Sequence, residues 1–240
     1  MAQAIFFDIG NTLLRPHPGV SEVCRQVLSR MGHSEDLSKI DALMPLVDDH
    51  YEQRYREDDT FWTCEERASE VWVGMYSLLA RELELDCDHA HYGRLVYDEF
   101  GYAGRWSPYE DVLPLLKRLH DNGLRLAVIS NWDSRLTSLL DDLGLAHYFE
   151  LVISSADVGL HKPDPRIFKL ACDRLGVAPS EVVHVGDHYY ADMLGASSAG
   201  IRPVLIDRGG TYRLGSNNKI CSLDSLESHL GLTQSSKVVT

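Results

Sequence analysis

The feature that most constrains this fold is a short apolar run that recurs along the chain, each time followed by a polar loop and a helical segment. Five such runs occur: AIFF (4–7), RLAVIS (125–130), ELVISS (150–155), EVVHVGD (181–187) and RPVLID (202–207). Runs rich in Val, Ile and Leu that alternate with helices are typical of a parallel sheet covered on both faces. The sequence therefore predicts an α/β fold with a Rossmann-like, doubly wound parallel sheet.

The segments between these runs have helical periodicity and helix-ending glycines. SRLTSLLDDLG (134–144), PRIFKLACDRLG (165–176) and YADMLGASSAG (190–200) each close on a glycine. Glycine is favoured there because it adopts the left-handed conformation that ends a helix without steric penalty. The pattern favours strand–helix–strand crossovers, which in turn require parallel strands.

Residues 17–104 interrupt this alternation. Three helices are predicted in the block, from VSEVCRQVLSRMG (20–32), ERASEVWVGMYSLLAREL (66–83) and HYGRLVYDEFGYAG (91–104), and no strand pattern is evident. The acid-rich stretch 48–59 is expected to be a solvated helix face and loop. We therefore expect a core formed by residues 1–16 and 105–240 and an all-helical insertion at 17–104.

Composition excludes several partners. The chain has 240 residues and a formal charge of −13, from 36 acidic against 23 basic residues. Such a surface repels nucleic acid and anionic membranes, although a metal and a lysine can reverse the local field for a small phosphorylated ligand. Five scattered cysteines form no CxxC pair, and no signal-peptide or membrane-spanning pattern is evident. We expect a cytoplasmic protein; its oligomeric state is left open.

Polar side chains stand at the predicted strand ends, where a parallel sheet collects its ligands. The first strand ends at Asp8, the second at Ser130 and Asn131, and the loop after the third carries Lys162. The fourth ends in Gly186 and Asp187, with Asp192 five residues further on. A nucleophilic carboxylate, a hydroxyl, an ammonium and a carboxylate pair that meet in one crevice suit phosphoryl transfer.

The chemistry also requires a cation. Asp8 and a phosphate are both anions, so Mg²⁺ with oxygen ligands is expected between them. Asp8, Asp187 and the carbonyl of Gly10 would hold the ion directly, and Asp192 through a water. Lys162 would neutralise charge as a point cation.

Four stretches, FFDIGNTLL, VISNWD, HKPDPRIF and VHVGDHYYADMLGA, resemble in order the four motifs of the haloacid dehalogenase superfamily. The resemblance covers nearly the whole chain, and the helical insertion resembles the cap of its subfamily I. The family's roles imply Thr12 as support of the first loop. The implied roles are Asp8, Ser130 and Lys162 for catalysis; Thr12, Ser130, Asn131 and Lys162 for phosphate binding; Asp8, Gly10, Asp187 and Asp192 for the metal.

Position 10 departs from the family pattern. Phosphatases of this family follow DxDxT, in which the second Asp protonates the leaving group and then activates water, whereas this chain has Gly10. General acid–base help is typically worth ~10²–10⁴-fold, so the enzyme is expected to be impaired or specialised. His188 and His161, which flank motif residues, are considered as replacements.

The leading hypothesis is a Mg²⁺-dependent phosphohydrolase that acts on a small phosphorylated metabolite through an aspartyl-phosphate. The alternatives are a non-catalytic binder of a phosphometabolite or protein partner, and relatives that also lack the second Asp. Dehalogenases need no metal pair, whereas phosphonate hydrolases need a cap lysine. The insertion contains a single lysine, Lys39. The predicted Asp187–Asp192 pair favours the phosphohydrolase.

Overall fold

A six-stranded parallel sheet forms the centre of the computed structural model, which describes residues 2–212 and 218–232. Predicted core residues 213–217 and 233–240 lie outside the described residues. The strands are β1 (Ala4–Phe7), β2 (Leu14–Pro16), β3 (Trp106–Pro108), β4 (Arg125–Ser130), β5 (Leu151–Ser154), β6 (Val182–Gly186), β7 (Arg202–Ile206) and β8 (Lys219–Ile220). The sheet order β5-β4-β1-β6-β7-β8 puts β1 at the point where the winding reverses.

Strands β2 and β3 form a separate antiparallel pair, in register at Leu14 with Pro108 and at Pro16 with Trp106. This pair stands where the chain leaves the sheet region and where it returns. It was not predicted, because three-residue strands have too few positions for an alternating pattern.

The structure contains the helices predicted within 20–32, 66–83, 91–104, 134–144 and 165–176, with differences in extent, and adds a long helix at 37–57 that was not predicted. The helices are α1 (Val20–Arg30), α2 (Leu37–Glu57), α3 (Glu65–Glu82), α4 (His89–Glu99), α5 (Val112–Asp121), α6 (Leu136–Asp142), α7 (Ser155–Val158), α8 (Pro165–Leu175), α9 (Gly195–Ser198) and α10 (Leu226–Leu230), with a π-helical turn at Tyr189–Leu194. Gly144 and Gly176 have φ of 68° and 64°, which confirms the predicted helix ends. No helix among the described residues is both long and apolar enough to span a membrane.

Both faces of the sheet are covered, as predicted. Along β1, Ile5 and Phe7 pack into one buried cluster, and Ala4 and Phe6 pack into another on the opposite face with Phe168 of α8. The split follows from the two-residue period of a strand, in which successive side chains point to opposite faces. The doubly wound α/β architecture is thereby confirmed.

Residues 17–104 are all described, and none of them lies in a strand. Helices α1–α4 bury a third apolar cluster, separate from the two that flank the sheet, around side chains such as Ile40, Leu79 and Tyr92. The stretch 48–59 forms the solvent-facing end of α2, which continues to Glu57, and the residues that follow it, as expected. The predicted helix at 91–104 is shorter, since α4 ends at Glu99.

Candidate active site

Asp8 stands directly after β1, at the carboxyl edge of the sheet. Its backbone N–H donates to the carbonyl of Val185 on β6 (2.9 Å), which extends the sheet pairing to the first loop residue. The loop then turns back on itself, with Leu13 and Leu14 both donating to the carbonyl of Ile9 (2.9 Å). The Asp8 side chain is 10% exposed, so its carboxylate is nearly buried.

Ser130 and Lys162 converge on one oxygen of Asp8. Ser130 Oγ donates to Asp8 Oδ1 (2.9 Å), and Lys162 Nζ donates to the same oxygen (2.6 Å). The two donors come from the end of β4 and from the loop before α8. The structure therefore brings together residues 122 and 154 positions apart from Asp8 in the sequence, as predicted from the strand ends.

Hydrogen bonds fix both the backbone and the side-chain ammonium group of Lys162. Asn131 accepts from Lys162 N (2.8 Å) and donates to Lys162 O (2.9 Å), while Nζ lies 2.6 Å from both Asp8 Oδ1 and Asp192 Oδ1. Burial disfavours the ammonium, but Asp192 and Asp8 outweigh it and raise the pKa of Lys162 above its usual range. The Asn131 side chain, for which phosphate binding was predicted, thus positions the backbone of Lys162.

Asp192 is carried by the π-helical turn and presses against the end of β6. A Cβ atom at position 186 would collide with its carboxylate, which explains why glycine precedes Asp187. His184 Nε2 lies 2.8 Å from Asp192 Oδ1, and the N–H of His188 donates to Oδ2 (3.0 Å). Burial would raise the pKa of Asp192, but Lys162 and His184 hold it well below its usual range.

Asp187 points toward the same carboxylates with fewer partners. Thr12 Oγ1 donates to its Oδ1 (3.3 Å), and Thr12 itself has no exposed surface. The buried hydroxyl fits the supporting role that the resemblance implies better than direct contact with phosphate. Desolvation first, and then the charges of Asp8 and Asp192, raise the pKa of Asp187 to about 8.

Three carboxylates therefore meet with too little positive charge. Ligand oxygens of Asp8, Asp187 and Asp192 all lie within 4.8 Å of one another. Hard oxygen donors at this spacing fit a divalent cation such as Mg²⁺, which would relieve the repulsion that raises the pKa of Asp187. Both oxygens of Asp192 already have partners, which favours an indirect contribution from that residue.

Position 10 faces an indole. A Cβ built on Gly10 would lie 3.5 Å from Cζ3 of Trp132, an ordinary van der Waals contact. The two histidines considered as replacements for an acid are engaged elsewhere: His161 Nε2 lies 3.2 Å from Asp59, and His188 Nδ1 accepts from Ala191 N (3.1 Å). Their contacts do not support proton transfer at the leaving group.

Sequence reasoning missed Arg208 and Asp111. Arg208 donates to the carbonyl of Thr12 (2.8 Å), pairs with both carboxylate oxygens of Asp111 (2.9 Å each) and lies over the Tyr109 ring at 3.8 Å. The guanidinium thus braces the first loop from behind. No sequence signal joins an arginine and an aspartate 97 residues apart, whereas His184, a histidine inside an apolar strand, was a readable signal.

The helical insertion contacts the loops that follow three strands of the sheet. Tyr97 of α4 donates to Asp133 Oδ2 (3.0 Å), and Glu65 of α3 accepts from Ser134 N (2.8 Å). Asp59 contacts His161, next to Lys162, and the Tyr55 ring lies 5.6 Å from the His188 ring between centroids. The insertion is therefore attached to the loops that follow β4, β5 and β6.

A parallel sheet with charged groups at its carboxyl edge defines a class of α/β enzymes, and the comparisons specify which. The chain belongs to the haloacid dehalogenase-like hydrolase family, which matches residues 2–200. The resemblance drawn from the four motifs is thereby confirmed.

Individual relatives agree. The chain is 32% identical over 211 residues to haloacid dehalogenase-like hydrolase domain-containing protein 3 of Danio rerio, covering 85% of this chain and 84% of the relative. It is 30% identical over 217 residues to glyceraldehyde 3-phosphate phosphatase of Methanopyrus kandleri, covering 87% and 85%. A HAD phosphatase from Thermococcus onnurineus superposes with a TM-score of 0.65 at 26% identity over 96% and 98% of the two chains.

Proposed function

We propose that this hydrolase is a Mg²⁺-dependent phosphatase of small phosphate monoesters that works through an aspartyl-phosphate at Asp8. The observation that carries the proposal is the shared oxygen of Asp8, which receives both Ser130 Oγ and Lys162 Nζ next to the carboxylate of Asp187. This combination joins a nucleophile, its charge balance and a cation site at one point.

Asp8, Asp187 and the carbonyl of Gly10 would hold Mg²⁺, with Asp192 acting through a water. The ion, when bound, would supply positive charge that lets an anionic carboxylate approach an anionic phosphate. The remaining electrostatic help comes from the chain itself. Lys162 carries a positive charge that is 2% exposed, and a charge screened so little by water acts strongly on a nearby phosphoryl group.

In the first step, an oxygen of Asp8 forms a bond to phosphorus as the bond from phosphorus to the ester oxygen breaks. The electron pair leaves on that oxygen, which then takes a proton from solvent. In the second step, water attacks phosphorus, the bond to Asp8 breaks, and inorganic phosphate keeps both protons of the water. Ser130 and Lys162 stabilise the transferred group in both steps.

The helical insertion is proposed to act as the cap that selects the substrate and excludes water. Its contacts at Tyr97 with Asp133, at Asp59 with His161 and at Tyr55 with His188 join it to the loops after β4, β5 and β6. A small phosphorylated metabolite as substrate is supported by the name of the Methanopyrus relative, a glyceraldehyde 3-phosphate phosphatase.

The proposal is tested by phosphate release from a panel of metabolite phosphates and p-nitrophenyl phosphate, with Mg²⁺ and with EDTA. We expect release only with Mg²⁺, and a mass increase of one phosphoryl group on the peptide that contains Asp8 after rapid acid quench. Release that persists in EDTA, or labelling at another residue, would contradict the mechanism. Binding without release from any ester would instead support the non-catalytic hypothesis.

The phosphonate-hydrolase alternative gains nothing from the structure. Lys39, the single lysine of the insertion, pairs with Glu35 at 3.1 Å, and its side chain is 53% exposed. A Schiff-base lysine needs a lowered pKa in a desolvated pocket, and an exposed lysine beside a carboxylate has the opposite surroundings. Halide release from a haloacid, measured in the same panel, would be the result that favours the dehalogenase alternative.

A further inference from the structure

The loops after β1 and β4 contact each other at the nucleophile and again two residues further along the chain. Asp8 contacts Ser130 through their side chains at 2.9 Å. Two residues further along both loops, Gly10 stands opposite Trp132, whose ring lies 3.5 Å from the position that a Cβ of residue 10 would occupy. The indole therefore borders the space that a side chain at position 10 would enter, at ordinary van der Waals distance from its Cβ.

The indole is firmly positioned. The ring centroids of Trp132 and Trp106 are 4.9 Å apart, and Trp106 Nε1 donates to the carbonyl of Phe100 (2.9 Å). Ser155 Oγ lies 3.1 Å from both the backbone N and the backbone O of Trp132. Trp132 is only partly buried. A partly accessible indole that is packed against a second aromatic ring is suited to further stacking.

An indole beside the scissile bond changes which substrates can react. Its N–H is a donor without acidic character and cannot deliver a proton to a departing oxygen. Its face, in contrast, attracts flat π-systems. A site that lacks a proton donor favours a leaving group that is stable as an anion, and an aromatic surface favours one that is planar.

We propose that Trp132 is the specificity-determining residue of this site and selects phosphate esters whose leaving group is a planar, acidic hydroxyl, such as a phenol or an enol. This inference rests on the proposed phosphatase function. The bond from phosphorus to the ester oxygen breaks with its electron pair on that oxygen, which is stable as an oxyanion without a protein acid. The ring of the leaving group stacks on Trp132 while Asp8 attacks.

The kinetic test separates acidity from stacking with two esters, phenyl phosphate and glycerol phosphate, and one acyl phosphate, acetyl phosphate. In the wild type, phenyl phosphate should exceed glycerol phosphate in kcat/KM by ~10²–10⁴-fold, the usual value of acid help. Trp132→Leu should raise KM for phenyl phosphate about three- to tenfold while KM for acetyl phosphate, which has no ring, changes less than about twofold.

A second variant pair tests whether the indole blocks position 10. Gly10→Asp alone should raise glycerol phosphate turnover by less than about twofold, whereas Gly10→Asp with Trp132→Ala should raise it at least ~10-fold over Trp132→Ala. Gly104→Asp is the matched control, since Gly104 is exposed and a Cβ there would meet no atom within 4 Å. Two results would overturn the inference. One is similar wild-type rates for all three compounds, and the other is a full gain in glycerol phosphate turnover from Gly10→Asp alone.

A binding measurement keeps the inference testable apart from catalysis. Calorimetry with phenylphosphonate and propylphosphonate in Mg²⁺ should give about three- to tenfold tighter binding of the aryl compound to the wild type, and no preference in Trp132→Leu. An equal preference in both proteins overturns the stacking role. Aryl-selective binding without phosphate release from any ester overturns the proposed function alone and supports Trp132 as the recognition surface.

Discussion

Charged side chains at the strand ends and charged side chains on the helical insertion stand in opposite surroundings. Lys162 and Asp192 are 2% and 1% exposed and pair with each other, and Lys162 also pairs with Asp8. On the surface of α2, Lys39 pairs with Glu35, and its side chain is 53% exposed. Buried ions depend on their partners, because an unpaired charge loses hydration without compensation, whereas an exposed ion returns to water.

The two regions therefore differ in how well they tolerate replacement of a charged residue. Replacement of one charge at the strand ends disturbs its partners, so this site is suited to one type of chemistry. Replacement of a charge on the insertion leaves the partner solvated, so that region can change with the substrate. Four substitutions test this difference, in order of decreasing expected effect.

Asp8→Asn should lower phosphate release by at least ~10⁴-fold, because the amide cannot act as nucleophile. Release from p-nitrophenyl phosphate with Mg²⁺ measures the effect, and circular dichroism checks the fold. Asp41→Asn, on the exposed face of α2, is the matched control and should keep full activity. Residual activity above a few per cent in Asp8→Asn would show that another group attacks phosphorus.

Lys162→Met should lower the free energy of unfolding by about 3–5 kcal/mol, because it leaves Asp8 and Asp192 buried without their cation. Urea unfolding measures the loss. Lys39→Met breaks an exposed i,i+4 pair and should change stability by no more than about 0.5 kcal/mol. Equal losses in the two variants would remove the basis of the comparison between the regions.

Asp111→Asn should destabilise the protein at pH 7 by about 2 kcal/mol, because Arg208, Ser222 and the N–H of Leu223 lose a charged acceptor. Desolvation opposes the charge, but Arg208 and these other donors lower the pKa of Asp111. Its contribution is therefore present above the unfolded pKa of about 3.9 and is lost as pH falls through the lower folded value.

Urea unfolding of wild type and Asp111→Asn at pH 7, 5 and 3 measures this dependence. The gap between the two proteins should narrow toward pH 3. A gap that stays constant would mean that Asp111 acts through shape alone. A fall in kcat together with lost stability would support Arg208 as the brace of the first loop.

Asp59→Asn should have the smallest effect, a rise of up to about fivefold in KM with kcat nearly unchanged, because it weakens a partly exposed contact worth no more than about 1 kcal/mol. Its partner His161 belongs to the loop that carries Lys162. Asp58→Asn is the control, since Asp58 accepts from Thr60 within the insertion. A change in kcat larger than the change in KM would show that Asp59 affects the chemical step and not substrate selection.

Much of the site could be predicted because it depends on strand ends. Asp8, Ser130 and Gly186 each stand at or directly after a run of Val, Ile, Leu or Phe, and parallel strands bring their carboxyl ends to one edge. Residues that act across long sequence distances could not be predicted in this way. The Arg208–Asp111 pair depends on how the loop after β7 packs against the start of α5.

A helix that contains a residue unfavourable to helices was also not predicted. Helix α2 continues through Pro45, although proline removes a backbone donor and disfavours a helix interior. Ile40 and Val47, on either side of it, are fully buried in the cluster of the insertion. Burial on one face compensated for the local penalty, and only packing could reveal that.

Three features can be derived from the amino-acid sequence alone: the alternation of strands and helices, the edge of the sheet at which the carboxylates gather, and the lack of an acid at position 10. The first two follow from the two-residue period of strands and from parallel winding. Three contacts depend instead on tertiary packing: Trp132 beside the position of a Cβ on Gly10, His184 with Asp192, and Arg208 with Thr12. Such contacts join segments whose separation is set by how whole elements pack, and no local pattern in the chain encodes that distance.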